Sequence, residues 1–170
     1  MACSAPEPTR AWKEQLLPSN IPPRHPDGDQ ALPVTPKPQG RYLPAIVASG
    51  LVMTAGMTPR VDGRLQYPGR VGEAVSLAEA REAAGTALAN AVAAIADVLG
   101  STQQIDQVLR MVVYVNAAST FTEHSKVADG ASDRLAELLG DRGSAVRTAV
   151  GVSSLPGGSC VEVELTCSRS

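Results

Sequence analysis

Aromatic side chains are scarce in this chain: one Phe, one Trp and three Tyr among 170 residues. Few rings are therefore on hand for stacking against bases, and a net charge of −2 leaves no basic footprint for phosphates. Both shortages speak against a nucleic-acid partner. Histidine is scarcer still. His25 and His124 stand far apart with no second ligand at metal spacing, so no metal site is expected. The three cysteines, Cys3, Cys160 and Cys167, are odd in number and also lack metal spacing. Cys160 and Cys167 fall seven apart on one expected strand, too far to bridge, so reduced thiols in a cytoplasmic protein are expected. The longest apolar runs are broken by Gly, Asp or Arg before they could cross a membrane. The opening Met1-Ala-Cys-Ser-Ala-Pro-Glu-Pro has neither a basic start nor an apolar stretch, so no secretory signal is expected.

Proline, by contrast, is plentiful and crowded to one end. Ten of the 13 prolines precede residue 45. Residues 1–40 read as a proline-rich N-terminal extension that buries too little apolar surface to fold alone. Its one apolar cluster, Trp12, Leu16 and Leu17, could pin a turn of helix to the body; a loosely draped segment is the other reading. Residues 41–170 then form the folded domain, long enough for a sizeable core.

Within that domain the periodicities alternate. Ala45–Ser49 and Leu51–Ala55 are short runs of strand formers split by Gly50, which predicts a hairpin, and Asp62-Gly63 marks a second tight turn. Ser76-Leu-Ala-Glu79 is a capping box, followed by apolar residues at helical spacing up to Gly100, where a C-cap glycine belongs. Val108–Val115 reads as a buried central strand. Thr120 to Leu139 reads as a second helix, and Ala145–Val152 and Ser159–Cys167 as two final strands. The order β-β-α-β-α-β-β predicts an α+β fold with two helices on one face of a sheet. No helix remains for the opposite face, so either a second copy or residues 1–40 must cover it.

The chemistry concentrates in the last two strands. Arg147 stands alone among small and apolar residues, and a charge partly buried there needs a partner. A bound carboxylate is one candidate, to be gripped by the planar fork; an internal ion pair with Glu162 or Glu164 is the other. Glu162 and Glu164 share a strand face. Cys160, two residues before Glu162, is expected on that same face, either as a thiol near the site or as a small buried side chain.

Several of these pieces resemble the Rid family, also called the YjgF or L-PSP endoribonuclease family. They are Leu51-Val-Met-Thr-Ala-Gly-Met, Gly69-Arg-Val-Gly72, Val127-Ala-Asp-Gly-Ala-Ser-Asp-Arg-Leu, Ala145-Val-Arg-Thr-Ala-Val-Gly-Val-Ser-Ser-Leu-Pro and Val161-Glu-Val-Glu. The pattern is closest to a sister subgroup of the archetypal imine deaminases. The resemblance implies a chorismate-mutase-like mixed sheet, a homotrimer with clefts between subunits, and no metal or organic cofactor. It implies that reactive imines and enamines are hydrolysed to a 2-keto acid and ammonia. Arg147 matches the arginine that grips the substrate carboxylate, Glu162 the glutamate that positions water, and Tyr42 the tyrosine at the cleft mouth. Ala55 stands where a hydroxyl residue is common, and Ala149 where a cysteine is. Asp129 or Gly130 lies nearest the position of a cleft asparagine.

Two functions are thus expected to compete. One is an enzyme hydrolysing or tautomerising a small imine, enamine or keto acid. The other is a module of the same fold that binds a small carboxylate metabolite without chemistry. A ribonuclease is disfavoured by charge and by the shortage of aromatics.

Overall fold

The computed structural model describes residues 32–170. Trp12, Leu16, Leu17, His25 and Cys3 lie outside the described residues, and so does any cover provided by the first 31.

Two tight hairpins open the domain. Strands β1 (Ala45–Ala48) and β2 (Leu51–Thr54) are joined by Ser49 and Gly50, with φ of 51° and 77°. The short strands β3 (Arg60–Val61) and β4 (Arg64–Leu65) are joined by Asp62 and Gly63, with φ of 50° and 78°. Two consecutive positive φ angles match the right-handed twist of the flanking strands, which is why Gly follows a small or acidic residue in each.

Helix α1 (Leu77–Leu99) begins at the expected capping box, in which Ser76 accepts the Glu79 N–H and the Glu79 carboxylate accepts the Ser76 N–H. It ends at Gly100 in the left-handed region, φ 88°. Its length and composition alone would suit a membrane span, yet 72% of that apolar stretch is buried inside the domain. It is the core helix. Its inner face is mostly alanine, so backbones approach closely: a Cβ on Gly130 of helix α2 (His124–Leu139) would lie 2.1 Å from the Arg81 carbonyl oxygen. The second helix starts four residues later than its periodicity suggests. Glu123 makes no side-chain cap, and the Phe121 N–H instead closes a turn onto the Ala118 carbonyl.

Strands β5 (Ile105–Asn116), β6 (Val146–Val152) and β7 (Val161–Arg169) complete a five-stranded mixed sheet in the order β1-β2-β7-β5-β6. The middle strand is β7, and the long strand β5 lies inside the sheet beside it, antiparallel to β7 and parallel to β6. Parallel neighbours need a crossover, and α2 supplies it. Both helices cover one face, where Leu88, Ile95, Met111, Leu135 and Leu165 form the core. The other face carries no helix. Ile46, Met53, Thr166, Arg110 and Val146 run across it as one register row. Val146 is 71% exposed there and Met53 43%.

Candidate active site

Alternation along β7 sends Val161, Val163, Leu165 and Cys167 into the core and Glu162 and Glu164 to the helix-free face. Beyond the end of β2, Met57 and Val163 exchange backbone hydrogen bonds of 2.8 and 2.9 Å. That bridge lays Gly56 alongside Glu162. The fit is close: a Cβ on Gly56 would stand 1.8 Å from Glu162 Oε1 and 2.6 Å from its Cδ. Glycine at 56 is therefore what lets the carboxyl lie flat against the backbone.

Glu162 is half-buried and has neither an ion pair nor a hydrogen bond among the described residues. Burial, and then the nearby Glu164 charge, raise its pKa above the ordinary carboxylate value. It lines a hollow of about 280 Å³ together with Gln39, Tyr42, Ala55, Gly56, Thr58, Arg60 and Pro156. Tyr42 accepts a hydrogen bond from the Gln39 N–H at 3.4 Å, and the Ala55 N–H donates to the Pro44 carbonyl at 2.8 Å. The first bond folds the segment before β1 onto itself, and the second ties that segment to the exit of β2. The structure thus gathers Glu162, Tyr42 and Ala55 at one place.

Three residues of that place carry little signal in the sequence. Gly56 is one. Arg60 is the second: its Nη1 donates to the Gly63 carbonyl at 2.8 Å, and it has no acidic partner among the described residues. The third is Asn90, fully buried in the alanine helix α1. Its Nδ2 donates to the Thr58 and Arg60 carbonyls, each at 3.0 Å. A lone asparagine in Ala89-Asn-Ala91 is the one hint the sequence offers, since a buried amide must bond something.

Arg147 lies elsewhere. It pairs with Met111 in register and points to the helix-covered face, opposite to Glu162 and two strands away, roughly 10 Å across the sheet. Its Nη1 donates to Asp129 Oδ1 and Ser132 Oγ, both at 2.8 Å, and its Nη2 to the Ser125 carbonyl at 3.4 Å. The internal partner is thus Asp129 on α2, neither Glu162 nor Glu164. Asp129 also faces Arg81 at 3.7 Å, and Arg81 pairs with Asp133 at 2.9 Å. Arg147, Asp129 and Ala149 form a second cluster that one chain does not bring to the hollow. The Arg147 side chain keeps 25% of its exposure at the sheet edge.

The expected placement of Cys160 is corrected. It lies in the bend before β7 rather than on the strand, and it is fully buried in the core. The bend is fixed from both sides, since the Asn116 N–H donates to the Cys160 carbonyl and the Asn116 side chain donates to the Ser159 carbonyl. Strand alternation does not reach back through a bend, so Cys160 does not line the hollow beside Glu162. Burial pushes its thiol up to about 11, far from the range of a reactive thiolate.

A five-stranded mixed sheet with two helices on one face, and a carboxyl-lined hollow at the other, defines a small α+β class. The sequence model of the family described as "YjgF/chorismate mutase-like, putative endoribonuclease" matches residues 28–167, and the chain belongs to that family. Protein TCP17 of Trypanosoma cruzi is 31% identical over 134 residues, covering 78% of this chain and 84% of that protein. A solved structure from Shewanella oneidensis, titled a putative endoribonuclease, is 31% identical with a TM-score of 0.78. It covers 81% of this chain and 91% of that one. The protein Atu1372 of Agrobacterium tumefaciens, titled as having unknown function, is 30% identical with a TM-score of 0.75. It covers 78% of this chain and 85% of that one.

Proposed function

We propose that the Glu162 hollow hydrolyses or tautomerises a small imine or enamine of the 2-imino acid type. The observation carrying this reading is a half-buried, unpartnered carboxyl, held over Gly56 beside Tyr42, whose proton affinity is raised by burial. A general acid–base works best when its pKa moves toward the working pH, and burial moves a carboxyl in that direction. In the hydrolytic step Glu162 takes a proton from water as the water oxygen bonds to the imine carbon. The C=N π pair moves onto nitrogen. Glu162 then returns that proton to the nitrogen, giving the carbinolamine, takes the proton of its hydroxyl and passes it to the amine; the C–N bond breaks with its pair on nitrogen as the C=O bond forms, and a 2-keto acid and ammonia leave. An enamine first takes a proton at its outer carbon and becomes the imine.

A second copy of the chain completes the cleft in this reading. The helix-free face exposes Ile46, Met53, Val146 and Val150, and β6 leaves one edge unpaired, which favours an oligomer such as a homotrimer closing on that face. Tyr42 and a neighbouring copy's Arg147 would then be substrate-binding residues, with Arg147 reaching the hollow from the sheet edge. The name endoribonuclease belongs to the relatives. The net charge of −2 and the five aromatic residues of this chain favour a small metabolite over RNA.

The test generates imines in situ from a panel of amino acids with an amino-acid oxidase and follows ammonia release. Wild type should accelerate release, and Glu162→Gln should slow it. The placement of Asp129 on Arg147 and the alanines at 55 and 149 favour a second reading, a binding module without turnover. Keto acids that raise the melting temperature, with no acceleration for any imine, would decide for that second reading.

A further inference from the structure

Resting on the reading of Arg147 as the anion grip of a cleft that a second copy completes, we infer that Asp129 and Ser132 are its positioning residues. They hold one end of the guanidinium so that the other end meets the ligand carboxylate already aligned. Ser125, Asp129 and Ser132 follow one another at helical spacing and form one stripe of α2. The stripe runs beside β6, and all three residues meet Arg147. Nη1 donates to Asp129 Oδ1 and to Ser132 Oγ, both at 2.8 Å, which uses both of its hydrogens. Nη2 donates to the Ser125 carbonyl at 3.4 Å. A guanidinium carries five N–H donors in one plane. The Nε–H and the second Nη2 hydrogen therefore stay open among the described residues. Two open donors on a flat fork suit the two oxygens of a carboxylate.

Asp129 is itself fixed. Its Oδ2 faces Arg81 Nη1 at 3.7 Å, and Arg81 also donates to the Lys126 carbonyl at 3.0 Å and to Asp133 at 2.9 Å. Arg81 thus clamps α2 from α1, across the close contact at Gly130. Two arginines and two aspartates make this cluster neutral. What it supplies to a ligand at Arg147 is alignment, not an excess of positive charge.

Strand β6 is an edge of the sheet, and the same bonds also staple it to α2. A staple and an aligned grip differ in their consequences. An arginine side chain that keeps 25% of its exposure samples several rotamers unless it is anchored, and immobilising it on binding costs affinity. Anchors made before the ligand arrives remove that cost. A staple adds to folding stability and leaves ligand affinity alone.

The test is a ligand-observed NMR titration of the full chain in its native assembly with pyruvate, using uncharged methyl pyruvate as control. Arg147→Gln should raise the Kd for pyruvate roughly 10- to 100-fold, the range of charge-assisted hydrogen bonds, and leave methyl pyruvate unaffected. Ser132→Ala removes one anchor without changing any charge and should raise the pyruvate Kd roughly 3-fold. Asp129→Ala and Asp129→Asn both remove the charge, and only asparagine keeps an acceptor for Nη1. The alanine variant should therefore bind pyruvate roughly 3- to 10-fold more weakly than the asparagine variant, with no such gap for methyl pyruvate. Equal pyruvate binding by those two variants would overturn the role of Asp129, and wild-type binding by Ser132→Ala that of Ser132; either result keeps Arg147 as the grip. Where Asp129→Ala fails to fold, the Ser132→Ala comparison still decides. Pyruvate binding that is absent in the wild type, or indifferent to Arg147→Gln, would overturn the reading of Arg147 itself.

Discussion

Replacing Gly56 by alanine separates the site from the fold. The added Cβ would lie 1.8 Å from Glu162 Oε1, 2.6 Å from Cδ and 2.9 Å from Cγ, so the whole end of that side chain must swing away. Gly56 is not among the glycines held at positive φ, so its backbone accepts alanine without strain. The substitution also removes freedom from the unfolded chain, which stabilises by about 0.4–1 kcal/mol. Against this stands a Glu162 rotamer pushed from its minimum, at about 0.5–1.5 kcal/mol. The two nearly cancel, and unfolding free energy should change by no more than about 1 kcal/mol. The site should not be spared, because a reacting group moved by about 1 Å forfeits on the order of 100-fold in rate. Ammonia release from in-situ imines, measured beside urea denaturation, reads both quantities. A Gly56→Ala protein with wild-type turnover would refute the claim that Glu162 must lie flat over residue 56. A protein that loses several kcal/mol would show that the carboxyl cannot move and that the cancellation is misjudged.

Gly130→Ala sets a Cβ 2.1 Å from the Arg81 carbonyl oxygen, a backbone atom that cannot swing aside. It should cost about 1–3 kcal/mol or more in urea unfolding, and an unchanged midpoint would contradict the close approach of the two helices. Asn90→Ala removes a buried donor from the Thr58 and Arg60 carbonyls, the first of which keeps the Arg60 N–H, and should cost about 1–3 kcal/mol in urea unfolding; an unchanged midpoint would contradict that role. The raised pKa of Glu162 means that the folded chain holds this proton more tightly than the unfolded chain does. Its favourable contribution is complete below the ordinary carboxylate pKa and is lost as pH rises through the folded value. Glu162→Gln should therefore gain stability over wild type on going from pH 4 to pH 8, and a flat difference would contradict the burial argument. Cys160 and Cys167, both buried and pushed up to about 11, should resist a thiol reagent at neutral pH until the chain unfolds, as peptide mapping of the labelled protein would show.

Local chemistry made much of this fold legible. Ser49-Gly50 and Asp62-Gly63 mark turns because few residue pairs tolerate two positive φ angles, and both hairpins stand where those pairs fall. Ser76, Glu79 and Gly100 delimit the first helix because free backbone groups at helix ends need partners. The second helix was harder to read. Phe121 continues its apolar spacing, but its backbone is used in a turn and its ring packs edge-on to His124, so the helix starts later. Cys160 is the small buried side chain that was one of its two readings, but it leaves the face of Glu162 for a related cause: counting by twos assumes a strand, and the chain bends there.

The order of strands and helices, both ends of the first helix and the two hairpin turns were thus determined by the sequence, since each depends on neighbours within a few positions. Which side chains share a hollow was decided by tertiary structure alone. Gly56 meets Glu162 only because β2 docks beside β7, more than a hundred residues later in the chain. Arg147 and Glu162 occupy opposite faces because register, which no local pattern encodes, sets the parity of one strand against another.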